Sequence, residues 1–325
     1  MAETGQSAHM FVDALQYVRP SRQVFEQMNQ GQMGLVHITV GYHETFDGVL
    51  RNLAAWNQEF ESHGDLITPA HSMQDVRDAQ RAGKTAIMFG LQNPLAISAD
   101  ISRIAILHQL GIRFCQVTYN QQSLLGAGCF EDIDSGLTAF GRECVTEMNR
   151  LGMVIDLSHA GSKTAQDVAE FSDRPVAVTH ANPHVWHAAP RNISETLIET
   201  VTGKGGMVGF SLYPHHLNSG SECAGSDFAA MAADCVHRFG PHFGIGSDLC
   251  QDQPDSVVNW MRNGHWRKTP VPAAVFPTQP SWFSDNRDFP GLAPLLHDAG
   301  LSQVETDGVL GQNWITFLDT ALRPL

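Results

Sequence analysis

No stretch of this chain approaches the roughly 18 consecutive apolar residues that a membrane-crossing helix requires. The opening MAETGQSAHMFV also lacks the charged start and the apolar run of a secretory leader, so a cytoplasmic protein is expected. Positive charge is scarce as well. Twenty Lys and Arg face 34 Asp and Glu, which leaves a net charge of −14 with no basic cluster anywhere. Nucleic acid and anionic membrane are poor partners on that balance, because both are held by local positive charge. Cysteine is thin and scattered. The six, Cys115, Cys129, Cys144, Cys223, Cys235 and Cys250, show no C-x-x-C spacing, and a chain of 325 residues needs no disulfide framework, so reduced thiols are expected. Internal repeats and low-complexity tracts are missing too. What remains is 42% hydrophobic and 17% charged, the composition of a globular protein with a large core.

Short apolar runs alternate with segments of helical spacing along most of the chain. Strands are expected at 10–17, 34–41, 85–92, 114–120, 153–159, 175–180, 206–213 and 243–249. Helices are expected between them, the first opening at Ser21 as N-cap and the third closing at Gly83. Eight strands with seven intervening helical segments point to an α/β fold, a (β/α)8 TIM-like barrel in a single domain. Residues 250–325 read as a C-terminal extension, a Pro- and Trp-containing loop followed by two short helices packing on the barrel.

Three of the runs end on groups that can do chemistry. Met153–His159 and Pro175–His180 each finish on a histidine, and these lie 21 residues apart, one βα unit, so they should sit side by side. Phe243–Asp248 finishes on a carboxylate. Two imidazoles and a carboxylate at the carboxyl rim of a parallel barrel suit a divalent ion and the water it activates. Each has a plainer reading: a satisfied buried histidine, an N-cap aspartate. Arg191, just past the sixth strand, either pairs with Glu195 along a helix or clamps a substrate carboxylate. Tyr119 and Asn120, ending the fourth strand, are candidate substrate contacts. His184, His187, His215 and His216 have no spacing argument, and His37 reads as a core residue.

The motifs DLSH at 156–159, PVAVTHAN at 175–182, PRN at 190–192 and GIGSD at 244–248, with GQNW near the end, resemble in order and spacing the membrane dipeptidases of peptidase family M19, in the amidohydrolase superfamily. The resemblance runs from about residue 11 to Asn313. It implies a dipeptide-cleaving (β/α)8 barrel with two bridged zinc ions, and a homodimer. It would make His159 and His180 ligands of the second metal, Arg191 the anchor of the substrate carboxylate and Asp248 the catalytic carboxylate.

Three positions depart from that pattern. The family's Asp-Gly-His-x-Asp motif on the first strand is Asp13-Ala14-Leu15-Gln16-Tyr17 here, so both ligands of the first metal are replaced. The bridging glutamate falls on Gln92, and the substrate-polarising histidine on Tyr119. The expectation is therefore one zinc ion rather than two, held by His159, His180, Asp248 and Gln92. His43 and Glu44 are replacement ligands to consider. The expected activity is hydrolysis of a dipeptide-like or N-acyl amino acid amide bearing a carboxylate. The alternatives are a lyase, dehydratase or isomerase using the same pocket, or a non-catalytic metabolite-binding descendant.

Overall fold

The computed structural model describes residues 10–265, 267–268 and 274–323. The first nine residues, in which no leader pattern is read, and part of the loop expected between 250 and 290 lie outside the described residues. The barrel elements follow in chain order as β1 (Phe11–Gln16), α1 (Arg22–Gln30), β2 (Met33–Thr39), α2 (Phe46–Ser62), β3 (Ile67–Pro69), α3 (Met73–Arg81), β4 (Thr85–Leu91) and α4 (Ser102–Gln109). Then come β5 (Ile112–Gln116), α5 (Ala139–Leu151), β6 (Val154–Asp156), α6 (Ser162–Phe171), β7 (Ala177–Val178), α7 (Glu195–Gly203), β8 (Met207–Phe210), α8 (Gly225–Phe239) and β9 (Phe243–Ile245).

All pairings between these strands are parallel, and eight strands close a ring in the order β1, β2, β4, β5, β6, β7, β8, β9, with Asp13 opposite Ile245 at the closure. The expected (β/α)8 barrel is present. The short β3 was not anticipated. It pairs with Thr85–Ile87 of β4, while β5 pairs with Phe89–Leu91, so the two occupy successive stretches of one edge of β4. Three residues are too few to carry a periodicity signal.

Alternation along the strands sorts the core into two layers. Val12, Leu35, Met88, Phe114, Val154, Ala177 and Met207 point into the barrel. Phe11, Val36, Phe89, Cys115, Ile155, Val178 and Val208 meet the surrounding helices. Helix starts follow the expected chemistry. Ser21 Oγ accepts from Val24 N–H, and Ser72 with Asp75 forms a capping box on α3. All six cysteines are free, and no helix of the described residues is long and apolar enough to cross a membrane.

The C-terminal segment is more helical than the two short helices expected. It holds α9 (Asp255–Asn263), α10 (Leu292–Asp298), α11 (Gln303–Asp307) and α12 (Asn313–Ala321). Of these, α12 closes the amino end of the barrel: Trp314 is fully buried against the interior layer and donates its indole N–H to the Ile245 carbonyl at 3.0 Å. A Cβ on Gly244 would collide with that indole ring, which is why this position of β9 is glycine. With one end plugged, the open cavity is at the carboxyl ends of the strands, where the loops gather.

Candidate active site

The two histidines stand just beyond their strands rather than on them, His159 three residues past β6 and His180 two past β7. His159 takes a left-handed φ of 66°, as do Asn120 at 63° and Asp248 at 58°. Such conformations cost side-chain-bearing residues on the order of 1 kcal/mol or more each, and surrounding contacts must hold them. Beside His159 the holding group is Asp156. Its buried carboxylate accepts from Ser158 N–H at 2.9 Å, Ser158 Oγ at 2.7 Å, Thr179 N–H at 2.9 Å, Thr179 Oγ1 at 2.6 Å and Gln116 Nε2 at 2.9 Å. One carboxylate thus ties together β5 and both histidine loops.

That network also fixes the imidazole tautomers. Thr179 spends its proton on Asp156, so its oxygen accepts from His180 Nδ1–H at 2.8 Å. The Asn120 carbonyl oxygen accepts from His159 Nδ1–H at 2.7 Å. Both Nε2 atoms are left with lone pairs, and they face each other at 3.0 Å. Burial, reinforced by Arg191, holds both rings well below the usual histidine pKa, so both are neutral. Two lone pairs aimed at one another repel unless a cation lies between or beside them, and imidazoles oriented through Nδ1 are the usual form of a metal ligand. The pair therefore fits two coordination positions of a zinc-like ion. Among the described residues no three His, Cys, Asp or Glu side chains are grouped to hold one. Asp248 and Gln92 line the cavity with His159, but Asp248 does not complete such a group with the imidazoles.

Asp248 is buried, its backbone N–H donates to the Leu15 carbonyl at 3.0 Å, and its carboxyl accepts no hydrogen bond among the described residues. Burial pushes that carboxyl up to about 7, Arg191 opposing and Asp13 adding to the rise. Asp13 supports it from behind. It accepts from Ser247 N–H at 2.7 Å, from Ser247 Oγ and from Gln16 Nε2 at 2.7 Å, and burial raises it to about 6. Gly246 is required beside it, since a Cβ there would overlap the Thr179 carbonyl. Arg191 donates one Nη2–H to the His180 carbonyl at 3.1 Å, while its buried Nε has no partner among the described residues. Glu195, the plainer partner, pairs instead with Arg238 at 2.5 Å. A buried guanidinium with a donor unspent is set to receive an acceptor from outside.

The place of the first metal is filled with phenol rings. Leu15 is fully buried, and Tyr17 packs edgewise on Tyr42 at 4.8 Å, Tyr42 on Tyr119 at 5.1 Å, and Tyr119 against His159 at 4.3 Å. With Tyr213 on the same cavity, all four tyrosines of the chain gather here. The Gln92 amide donates to Thr39 Oγ1 and Tyr42 Oη, both at 2.9 Å. Phenols that burial keeps far above pKa 10 stay protonated and are poor ligands, so these residues do not fit a first metal. His43 and Glu44 do not replace its ligands. His43 Nε2 bonds the Met261 carbonyl at 3.0 Å, and Glu44 accepts from Tyr42 N–H at 2.6 Å and Trp260 Nε1 at 3.1 Å. Asn120, expected to touch substrate, has its carbonyl oxygen engaged in orienting His159.

The cavity over these groups encloses about 710 Å³, enough for a dipeptide-sized ligand. It also recruits His215 and His216, named in the sequence without a spacing argument, and Arg262 and Arg267, which the sequence did not single out. His216 lies farther from its strand than the other two, in the Pro214–His216 turn beyond β8, and its Nδ1 lies 2.7 Å from Ser211 Oγ. His37 is the core residue expected, stacked on Phe114 at 4.0 Å with Nδ1 2.5 Å from the Ala14 carbonyl.

A parallel barrel with paired imidazoles, an arginine and a carboxyl group at its carboxyl rim defines the class. The family described as membrane dipeptidase, peptidase family M19, matches residues 21–260. The chain belongs to that family. It is 27% identical over 265 residues to the dipeptidase aclJ of Aspergillus oryzae, a match covering 78% of this chain and 56% of that protein. It is 24% identical over 281 residues to the dipeptidase tcpJ of Claviceps purpurea, covering 85% and 60%. The chain thus spans little more than half the length of these curated relatives. Among solved structures, an amidohydrolase from Pseudomonas aeruginosa superposes with a TM-score of 0.91 at 32% identity, covering 97% of each chain. A metallo peptidase from Rhodobacter sphaeroides, liganded with a phosphinate mimic of L-Ala-D-Ala, shares the fold at TM-score 0.80 and 18% identity, covering 96% and 99%.

Proposed function

We propose that the protein is a metal-assisted amidohydrolase that cleaves a small carboxylate-bearing amide, of the dipeptide or N-acyl amino acid type, with one ion. The observation that carries this reading is the facing Nε2 pair of His159 and His180 beside an unspent arginine donor and an unbonded carboxyl group. A zinc ion held by the two imidazoles supplies, when bound, polarisation of the scissile carbonyl and acidification of water. Arg191 clamps the substrate carboxylate through Nε and the Nη hydrogens not given to His180, and so orients the amide. Asp248 takes a proton from the attacking water and returns it to the leaving nitrogen, a task suited to a carboxyl near pKa 7. Tyr119, kept protonated by burial, donates a hydrogen bond to the oxygen on which negative charge develops.

The phenol cluster gives a second reading some weight, a lyase or dehydratase in which Asp248 moves a proton and no water is activated. Mass detection on a library of dipeptides and N-acyl amino acids, run with metal-loaded protein, separates the two. Two fragments summing to substrate plus water support hydrolysis; a product lighter by one water supports the alternative. Metal analysis near one ion per chain is expected, and a stoichiometry of two would remove the single-ion reading.

A further inference from the structure

We propose that the substrate carries two negative charges, a carboxylate clamped by Arg191 deep in the cavity and a second acid held by Arg262 at its rim. The site would then take acidic dipeptides or N-acyl derivatives of acidic amino acids. This deepens the hydrolase reading and rests on it.

The starting point is where the molecule keeps its scarce positive charge. The chain carries −14 overall, and several of its cations elsewhere pair with carboxylates, as in Arg77 with Asp319 at 3.0 Å, Arg150 with Glu147 at 2.7 Å and Lys163 with Asp167 at 2.7 Å. Around this one cavity the balance reverses. Arg191, Arg262 and Arg267 line it against only two carboxyl groups, Glu131 and Asp248. Glu131 already accepts from Gln122 N–H at 2.7 Å. An electropositive mouth on an acidic molecule draws in anions and rewards more than one charge on them.

Arg262 is placed for the second charge. It has no ion pair or hydrogen bond among the described residues and lines the cavity from an exposed position, whereas Arg191 is buried with its Nε unpartnered. Val258, Met261 and Arg262 share one face of α9 and all line the cavity. The helix is pinned there at two points, by His43 on the Met261 carbonyl and by Glu44 on Trp260 Nε1. Arg262 is therefore a rim cation on an anchored helix, close enough to Tyr213 and His215 to act on both electrostatically.

The test is isothermal titration of the metal-loaded protein with both enantiomers of N-acetylglutamate and N-acetylglutamine, ligands of the same size that differ in one charge. The glutamate is expected to bind at least about tenfold tighter, and raised salt should shrink the difference. In Arg262→Met the ratio should fall toward one, with an unchanged circular dichroism spectrum, since the side chain is exposed. Equal affinities, or a preference that survives Arg262→Met, would overturn the proposal. Titration does not need turnover. Acid preference without cleavage of any amide would sink the hydrolase reading alone, and cleavage without acid preference would sink this one alone.

Discussion

Asp248 sits where burial raises its carboxyl to about 7, so near neutrality both of its forms are present and it can take a proton and give it back. Acting as the base, it must start ionised, so kcat/KM should rise with pH and level off above about 7. Asp248→Asn should cost roughly 10²- to 10⁴-fold in kcat and abolish that limb of the pH profile, while the melting temperature is kept. A variant that keeps the wild-type profile would remove Asp248 from the proton transfer. Arg191 makes a different prediction because it binds rather than reacts. Arg191→Met should raise KM about 10- to 100-fold, the loss expected for a charged hydrogen-bonded clamp. A fall in kcat alone would contradict that role.

At the scale of elements, the loops after β6 and β7 are precise because Asp156 bonds to both of them. Asp156→Asn replaces an acceptor of five hydrogen bonds by a group that must donate at one side, so Thr179 can no longer direct its oxygen at His180 as before. Zinc affinity measured by competition with a chelator should fall about 10- to 100-fold. Retained affinity would show that the tautomers are set elsewhere. At the opposite end of the barrel, α12 acts as a plug through Trp314. Trp314→Ala should cost about 3 to 5 kcal/mol of stability in denaturant unfolding, from the cavity left behind and the Ile245 carbonyl left without its donor.

Over the whole molecule, buried titratable groups pull stability in opposite directions. Asp13 and Asp248 have folded pKa values above those of the unfolded chain, so their contribution is full below about 3.8 and is lost as pH rises through about 6 to 7. His37, lowered to about 4 by burial, and His159, His180 and His216, lowered well below 6.5, do the reverse: their contribution is full above 6.5 and is lost as pH falls. Near pH 5 the imidazoles outnumber the carboxyl groups, and the unfolded chain binds more protons than the folded one. The metal-free protein should therefore melt at a lower temperature at pH 5 than at pH 7. A scan showing the opposite order would mean that these rings are not buried in neutral form.

The barrel was legible because its information is local: apolar runs of strand length, helical spacing between them, and capping residues such as Ser21 and Ser72 at the starts. His159, His180, Arg191 and Asp248 were legible for a related reason, since a strand that ends at the rim delivers whatever follows it to one place. What the sequence could not decide is how residues far apart divide the hydrogen bonds among themselves. Whether Asn120 touches substrate or steers His159, whether Glu44 meets a metal or Trp260, and whether Arg191 turns to Glu195 or to the cavity depend on competition among partners brought close only by closure of the ring. Arg262 belongs with these, since its position comes from α9 being pinned by residues more than 200 positions earlier. Periodicity along one chain carries the first kind of information, and the second exists only once the ends of eight strands share a rim.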